Sequence, residues 1–137
     1  MISKHAYLIP RSCPECVKTL AAYMNTDGGT LIIGVDDEGK VLGLAKDYAT
    51  FRKKDRDGFE LHLMRLVSDY MGKQCCLSLR PGFHPIGEVD ICKVDVDASP
   101  EPVYVGKDAT FYIRTGNSTQ ELKLREAVNY IARHWDR

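Results

Sequence analysis

Two adjacent carboxylates, Asp36 and Asp37, close the apolar run Thr30-Leu-Ile-Ile-Gly-Val35. Carboxylate oxygens at the end of a buried strand could contact a divalent metal ion or a nucleotide. Neighbouring strand residues point to opposite faces, so only one of the pair can readily enter such a site, and Asp37 is the candidate for that contact, with Asp36 as its companion. A solvated hairpin turn explains the same residues equally well, because Asp and Gly stabilise turns through local hydrogen bonds and left-handed geometry. A divalent metal site commonly needs several converging oxygen ligands, and Asp36 and Asp37 alone are too few.

A second constellation is Arg114 followed by Gly116, Asn117, Ser118 and Thr119. A guanidinium fork beside small hydrogen-bonding groups suits a phosphate. Turn capping by Asn and Ser, with Arg114 paired to a carboxylate, accounts for the composition as well. Lys53 and Lys54, within the basic run Arg52 to Arg56, add local attraction for a nucleic-acid backbone, although Asp55 and Asp57 dilute it and no aromatic residue is interleaved to stack on bases. Cys13-Pro-Glu-Cys16 at a helix start has the form of a redox pair or half a zinc site, but no second Cys/His pair follows to complete four zinc ligands.

These residues sit in a chain of 137 residues, 44% hydrophobic and 28% charged, which is material for one domain and one core. Nineteen basic and nineteen acidic side chains cancel, so any attraction to nucleic acid must be local. No stretch approaches the roughly 20 apolar residues of a bilayer span, and residues 1–10 do not form a secretory signal. The expected location is the cytosol, with five reduced thiols.

The elements that must position the candidates follow from periodicity. Ser12 and Glu15 form a capping box for a helix whose stripe is Val17, Leu20, Ala21 and Met24, ended by residues 25–29. Residues 30–35 read as a central strand and residues 41–44 as its hairpin partner. A polar connection spans 45–58, and a second helix carries Phe59, Leu63, Leu66, Val67 and Tyr70 to a stop at Gly72. Strands are expected at 75–79 and 88–96, joined by a turn at 81–87, with a bulge or two-faced burial between Ile91 and Val94. Phe111 to Arg114 is expected as the last strand, residues 115–119 as a polar turn, and Leu124, Ala127, Val128, Ile131 and Trp135 as the buried stripe of a closing helix. The sum is an α/β fold of the α+β type: a mixed sheet with about three helices packed on it, in one domain.

The segment Ala22-Tyr-Met-Asn25-Thr26-Asp-Gly28-Gly29-Thr-Leu-Ile-Ile-Gly34-Val35-Asp36-Asp37 resembles the helix-to-strand signature of the AlbA-like domain of the Schlafen family. Ser99-Pro-Glu-Pro102-Val-Tyr104 and Phe111-Tyr-Ile-Arg114-Thr-Gly116-Asn117-Ser118-Thr119 look like later blocks of that family, in the same order. On this resemblance, residues 17–137 form the AlbA-like domain and residues 1–16 an atypical opening. The resemblance implies RNA or DNA as partner and, for some members, a metal-dependent ribonuclease in which an aspartate matching Asp37 works with acidic residues near the start of the domain. Such members open on a strand with a Glu-Phe-Lys element, whereas this chain has His5-Ala-Tyr-Leu-Ile-Pro10 and no acidic residue before Glu15.

The expectation is therefore a nucleic-acid-binding module within a parent protein or homo-oligomer, with Arg114, Asn117, Ser118, Thr119, Lys53 and Lys54 holding phosphate. A nuclease using Asp37 and Asp36 on Mg²⁺ or Mn²⁺ is the alternative, and a thiol or zinc module a further one. Both nucleic-acid readings expect the end of the central strand and the Arg114 turn to share one groove.

Overall fold

Strand β2, Gly29–Ile33, occupies an interior position of a four-stranded sheet in a computed structural model that describes residues 2–5, 14–35, 39–44, 55–116 and 118–135. Its Leu31 and Ile33 are buried on the core face, as expected for a short β-branched run. On one side it pairs in parallel with β1, Ile2–His5, and on the other antiparallel with β4, Val89–Val96. β3, Leu79–Ile86, completes the order β1-β2-β4-β3. β1 has no counterpart in the sequence reading. It runs parallel to β2, and the helix between them makes the crossover that parallel neighbours require.

Residues 81–87, expected as a turn, belong mostly to β3. Pro81 and Pro85 are tolerated because β3 is an edge strand, whose outward amides need no sheet partner. The turn is confined to Gly87, at φ 66°, and Glu88. The expected strand at 75–79 is instead a 3₁₀ helix, Lys73–Ser78, which starts at Gly72 (φ 105°) and buries Cys75. β4 carries no bulge, since its register runs one to one against both neighbours. Cys92, Val94 and Val96 face the core, and Ile91 is half-buried on the other face beside Gly34.

Helix α1, Pro14–Met24, bears out the predicted stripe and exceeds it: from Cys16 to Asn25 every residue except Lys18 is buried. A helix covered on nearly all sides must lie between two layers. One is the sheet. The other is a hairpin of β5, Phe111–Thr115, and β6, Ser118–Leu122. β6 takes up residues expected in a polar turn, because Ser-Thr-Gln-Glu is held by backbone pairing and has almost nothing apolar to bury. Gly116, at φ 62°, follows β5 on the way to β6.

Helix α2, Arg56–Met71, begins inside the expected connection. Asp55 caps it by accepting from the Gly58 amide at 3.0 Å, and Gly72 ends it. Phe59, Leu63, Leu66 and Val67 are buried as predicted, whereas Tyr70 is 40% exposed. The return after β2 is reduced to one bridge, Val35 to Val41. Leu42 and Gly43 both donate to Gly34 O, and Gly43 (φ 78°) lies where a Cβ would stand 2.6 Å from Val89, so the chain bends there instead of extending. Helix α3, Leu124–His134, closes the fold, but Leu124 and Val128, predicted as buried, are 81% and 55% exposed. The whole is a single α+β domain with a mixed sheet.

Candidate nucleic-acid interface

Asp36, Asp37, Lys53, Lys54, Asn117 and Cys13 lie outside the described residues. Of the remaining phosphate candidates, Arg114 and Thr119 face each other across the hairpin. Arg114 is 9% exposed: its guanidinium lies 5.3 Å from the centre of the Tyr23 ring, and Nη1 donates to Thr119 Oγ1 at 2.6 Å. The Arg114 amide donates to Thr26 Oγ1 at 3.0 Å, and Thr119 Oγ1 lies 3.4 Å from Thr19 Oγ1. The pair thus braces the hairpin against α1. Ser118 is exposed next to the turn.

Tyr23, which carries Arg114, donates through Oη to Thr30 O at 3.1 Å, at the beginning of β2. Asp36 and Asp37 follow Val35, beyond the other end of that strand. The expected groove between the end of β2 and the Arg114 turn rests on Asp36, Asp37 and Asn117, which lie outside the described residues.

The Asn-Thr-Asp-Gly-Gly segment builds the scaffold. Asn25 is fully buried, and its Nδ2 donates to Val103 O and Tyr112 O, both at 2.9 Å, while Oδ1 accepts from Val103 N at 2.8 Å. Its own carbonyl accepts from Tyr130 Oη at 2.5 Å. Gly28 has φ 78°, and a Cβ there would stand 2.5 Å from Val96 O, so only glycine lets the chain cross from α1 to β2. Of the cysteine motif, Cys16 is fully buried in the core and offers no accessible thiol. Burial, with the Glu60 charge nearby, pushes the Cys92 thiol up to about 12. Among the described residues no group of three or more His, Cys, Asp or Glu side chains is placed to hold a metal ion.

A cleft of about 210 Å³ lies where α1, the end of α2 and the loop before β5 meet. Val17 and Val105 supply apolar lining, and Tyr70 contributes its partly exposed side chain. Lys18, Lys107, Asp108 and Thr110 supply the polar groups. The loop is fixed by Gly106 N donating to Tyr70 O at 2.9 Å, and by a reciprocal pair between Val105 and Thr110 at 2.9 and 3.0 Å. Ala109, in the turn between them, holds φ 51°, a conformation uncommon for a residue with a side chain. The Lys18 ammonium also lies 5.8 Å from the Tyr112 ring centre. No motif could announce this cleft, since its residues come from positions 17–18, 70 and 105–110. The only local hint is Tyr70, the one member of the α2 stripe with a polar end.

The profile of the Schlafen AlbA_2 family matches residues 3–123. The chain belongs to the Schlafen AlbA_2 family. The match starts within β1 and stops before α3, so the closing helix lies beyond the family segment. No curated protein sequence matches the chain. Among solved structures, the crystal structure of the DIP2311 protein from Corynebacterium diphtheriae aligns with a TM-score of 0.64 at 16% identity, covering 97% of this chain and 27% of that one. The solution structure of the N-terminal domain of a RecG-related protein from Nitrosomonas europaea, named after the ATP-dependent DNA helicase, aligns with a TM-score of 0.54 at 24% identity, covering 90% of this chain and 83% of that one. Both show that the fold is shared. The AlbA_2 chain described here thus spans about a quarter of the Corynebacterium protein. Among the described residues no helix is long and apolar enough to cross a membrane.

Proposed function

We propose that this AlbA_2 chain is a nucleic-acid-binding module that works as one unit of a longer protein or assembly. The observation that carries the reading is the cleft: in a chain of zero net charge, Lys18 and Lys107 flank the same concave surface as the aromatic Tyr70. Ammonium groups neutralise phosphates and release counterions, and an exposed aromatic gives a base a face to stack on. Family membership and a fold shared with a domain of a RecG-related protein support the same partner class. Arg114 and Thr119 serve this reading by holding the hairpin in place. Ser118, Asn117, Lys53 and Lys54 are the further phosphate candidates. The nuclease alternative, with Asp37 and Asp36 on Mg²⁺ or Mn²⁺, has no specific observation in its favour.

Fluorescence anisotropy with short RNA and DNA oligonucleotides over a range of salt tests the reading. Affinity falls linearly with salt on logarithmic axes, and Lys107→Ala reduces that slope by about one. Absence of binding, or binding indifferent to salt, overturns it.

A further inference from the structure

Resting on the nucleic-acid reading, we infer that the cleft captures one unpaired base of a single strand: the ring lies against Tyr70, the flanking phosphates on Lys18 and Lys107, and Asp108 accepts a hydrogen bond from the base edge.

Size limits the occupant. At about 210 Å³ the cleft is smaller than the ~300 Å³ at the low end of sites for whole small molecules. It has room for a fragment, and a nucleic acid presents such a fragment when a base leaves the stack. A base inside a duplex has its faces covered and its Watson–Crick edge occupied, so it cannot enter.

The chemistry of the lining decides how the base would sit. Tyr70 keeps 40% of its surface open although it lies on the apolar stripe of α2. Stacking on an aromatic face tolerates any base. The loop is approachable, because a Cβ built on Gly106 meets nothing within 4 Å. Asp108 is out of place in a site meant only for phosphate, since like charges repel. A carboxylate accepts from amino groups, as it does from cytosine N4, whereas the one edge donor of uracil, N3–H, is flanked by two carbonyl oxygens that a carboxylate repels. The cleft therefore favours cytosine, adenine or guanine over uracil or thymine.

The test uses the full chain and labelled oligonucleotides of equal length: single-stranded oligo-C, oligo-A and oligo-U, and a duplex. Single strands are expected to bind more tightly than the duplex, with oligo-U the weakest of the three. Tyr70→Leu lowers single-strand affinity about tenfold and Tyr70→Phe restores it, and neither changes the urea midpoint. Asp108→Asn, which adds a donor, narrows the gap between oligo-U and oligo-C. If Tyr70→Leu leaves single-strand affinity unchanged while nucleic acid is still bound, base capture is wrong and the general binding reading survives. If neither single strands nor duplex bind, both fall together.

Discussion

The carboxamide of Asn25 grips the backbone of Val103 from both sides, donating to its carbonyl at 2.9 Å and accepting from its amide at 2.8 Å. The same Nδ2 reaches Tyr112 O, so one buried side chain at the end of α1 ties down both the loop before β5 and β5 itself. That loop continues into the Val105–Thr110 turn that lines the cleft. The signature asparagine thus acts on the candidate interface from a distance, by holding the backbone that presents it.

Asn25→Ala removes three buried hydrogen bonds and leaves their backbone partners without a substitute. An unsatisfied buried group costs ~1–3 kcal/mol, and partial relaxation offsets some of it, so a loss of about 3 kcal/mol is expected in urea unfolding. Asn25→Asp is expected to lose a similar amount, because an ionised carboxylate cannot donate to Val103 O or Tyr112 O. A loss below about 0.5 kcal/mol in either variant would show that the clamp is not structural.

Arg114→Ala separates a brace from a phosphate ligand. Loss of the bond to Thr119 and of the stack on Tyr23 is expected to lower stability by about 2 kcal/mol. Nucleic-acid affinity, measured where the variant remains folded, is expected to stay within about twofold of the parent, well below the effect of losing a direct phosphate contact. A tenfold drop with stability intact would instead place Arg114 on the ligand.

Where one face of an element is buried, its type and extent could be read from the sequence. The α1 stripe, the start of β2 and the stop at Gly72 all follow from spacing and from glycine. The misreadings share a cause: pairing and layering are not local properties. Pro81 and Pro85 read as a turn because nothing in the sequence says that β3 is an edge. Ser118 and Thr119 read as a polar turn because β6 is held by its backbone. The burial of Arg114 is not legible either, because the layer that covers it, α1, is distant in sequence. The cleft was invisible for the same reason. Its lysines and its tyrosine belong to three segments that only the packing of the hairpin and α2 against α1 unites.

Helix α3 gives a direct test of periodicity against packing. Leu124 and Val128 fall on the apolar stripe yet are largely exposed, so Leu124→Gln and Val128→Gln are expected to change stability by less than about 0.5 kcal/mol. Trp135 lies on the same stripe but contacts the rings of Phe111 and Tyr130, and its Nε1 donates to Ser99 O at 3.0 Å. Trp135→Ala is expected to cost about 2 kcal/mol, because it opens the aromatic cluster that docks α3 on β5. Equal effects at Leu124 and Trp135 in thermal unfolding would mean that α3 packs differently.

Acids whose ionisation burial disfavours limit the fold at alkaline pH, and Tyr130 and Cys92 are two of them. Burial raises the Tyr130 hydroxyl above its usual range, with the Asp27 charge adding to the shift, and burial pushes the Cys92 thiol up to about 12. In both cases the folded-state value lies above the unfolded one, so the unfolded chain gives up its proton first. The stabilisation is complete below the unfolded values, near pH 9 for the thiol and 10 for the phenol, and is lost as pH rises through the folded ones. Unfolding free energy is therefore expected to be flat from neutral pH to about 9 and to fall steadily above it. Tyr130→Phe cannot ionise, and it gives up the bond to Asn25 O; it is expected to start about 1 kcal/mol lower and to decline less steeply. The same burial makes a second readout available. Near pH 9 an ordinary exposed thiol is about half ionised, yet Cys92 is expected to react with a maleimide only as fast as the protein opens. Labelling of Cys92 in the folded protein at the rate of a free thiol, found by mass spectrometry, would overturn its placement in the core.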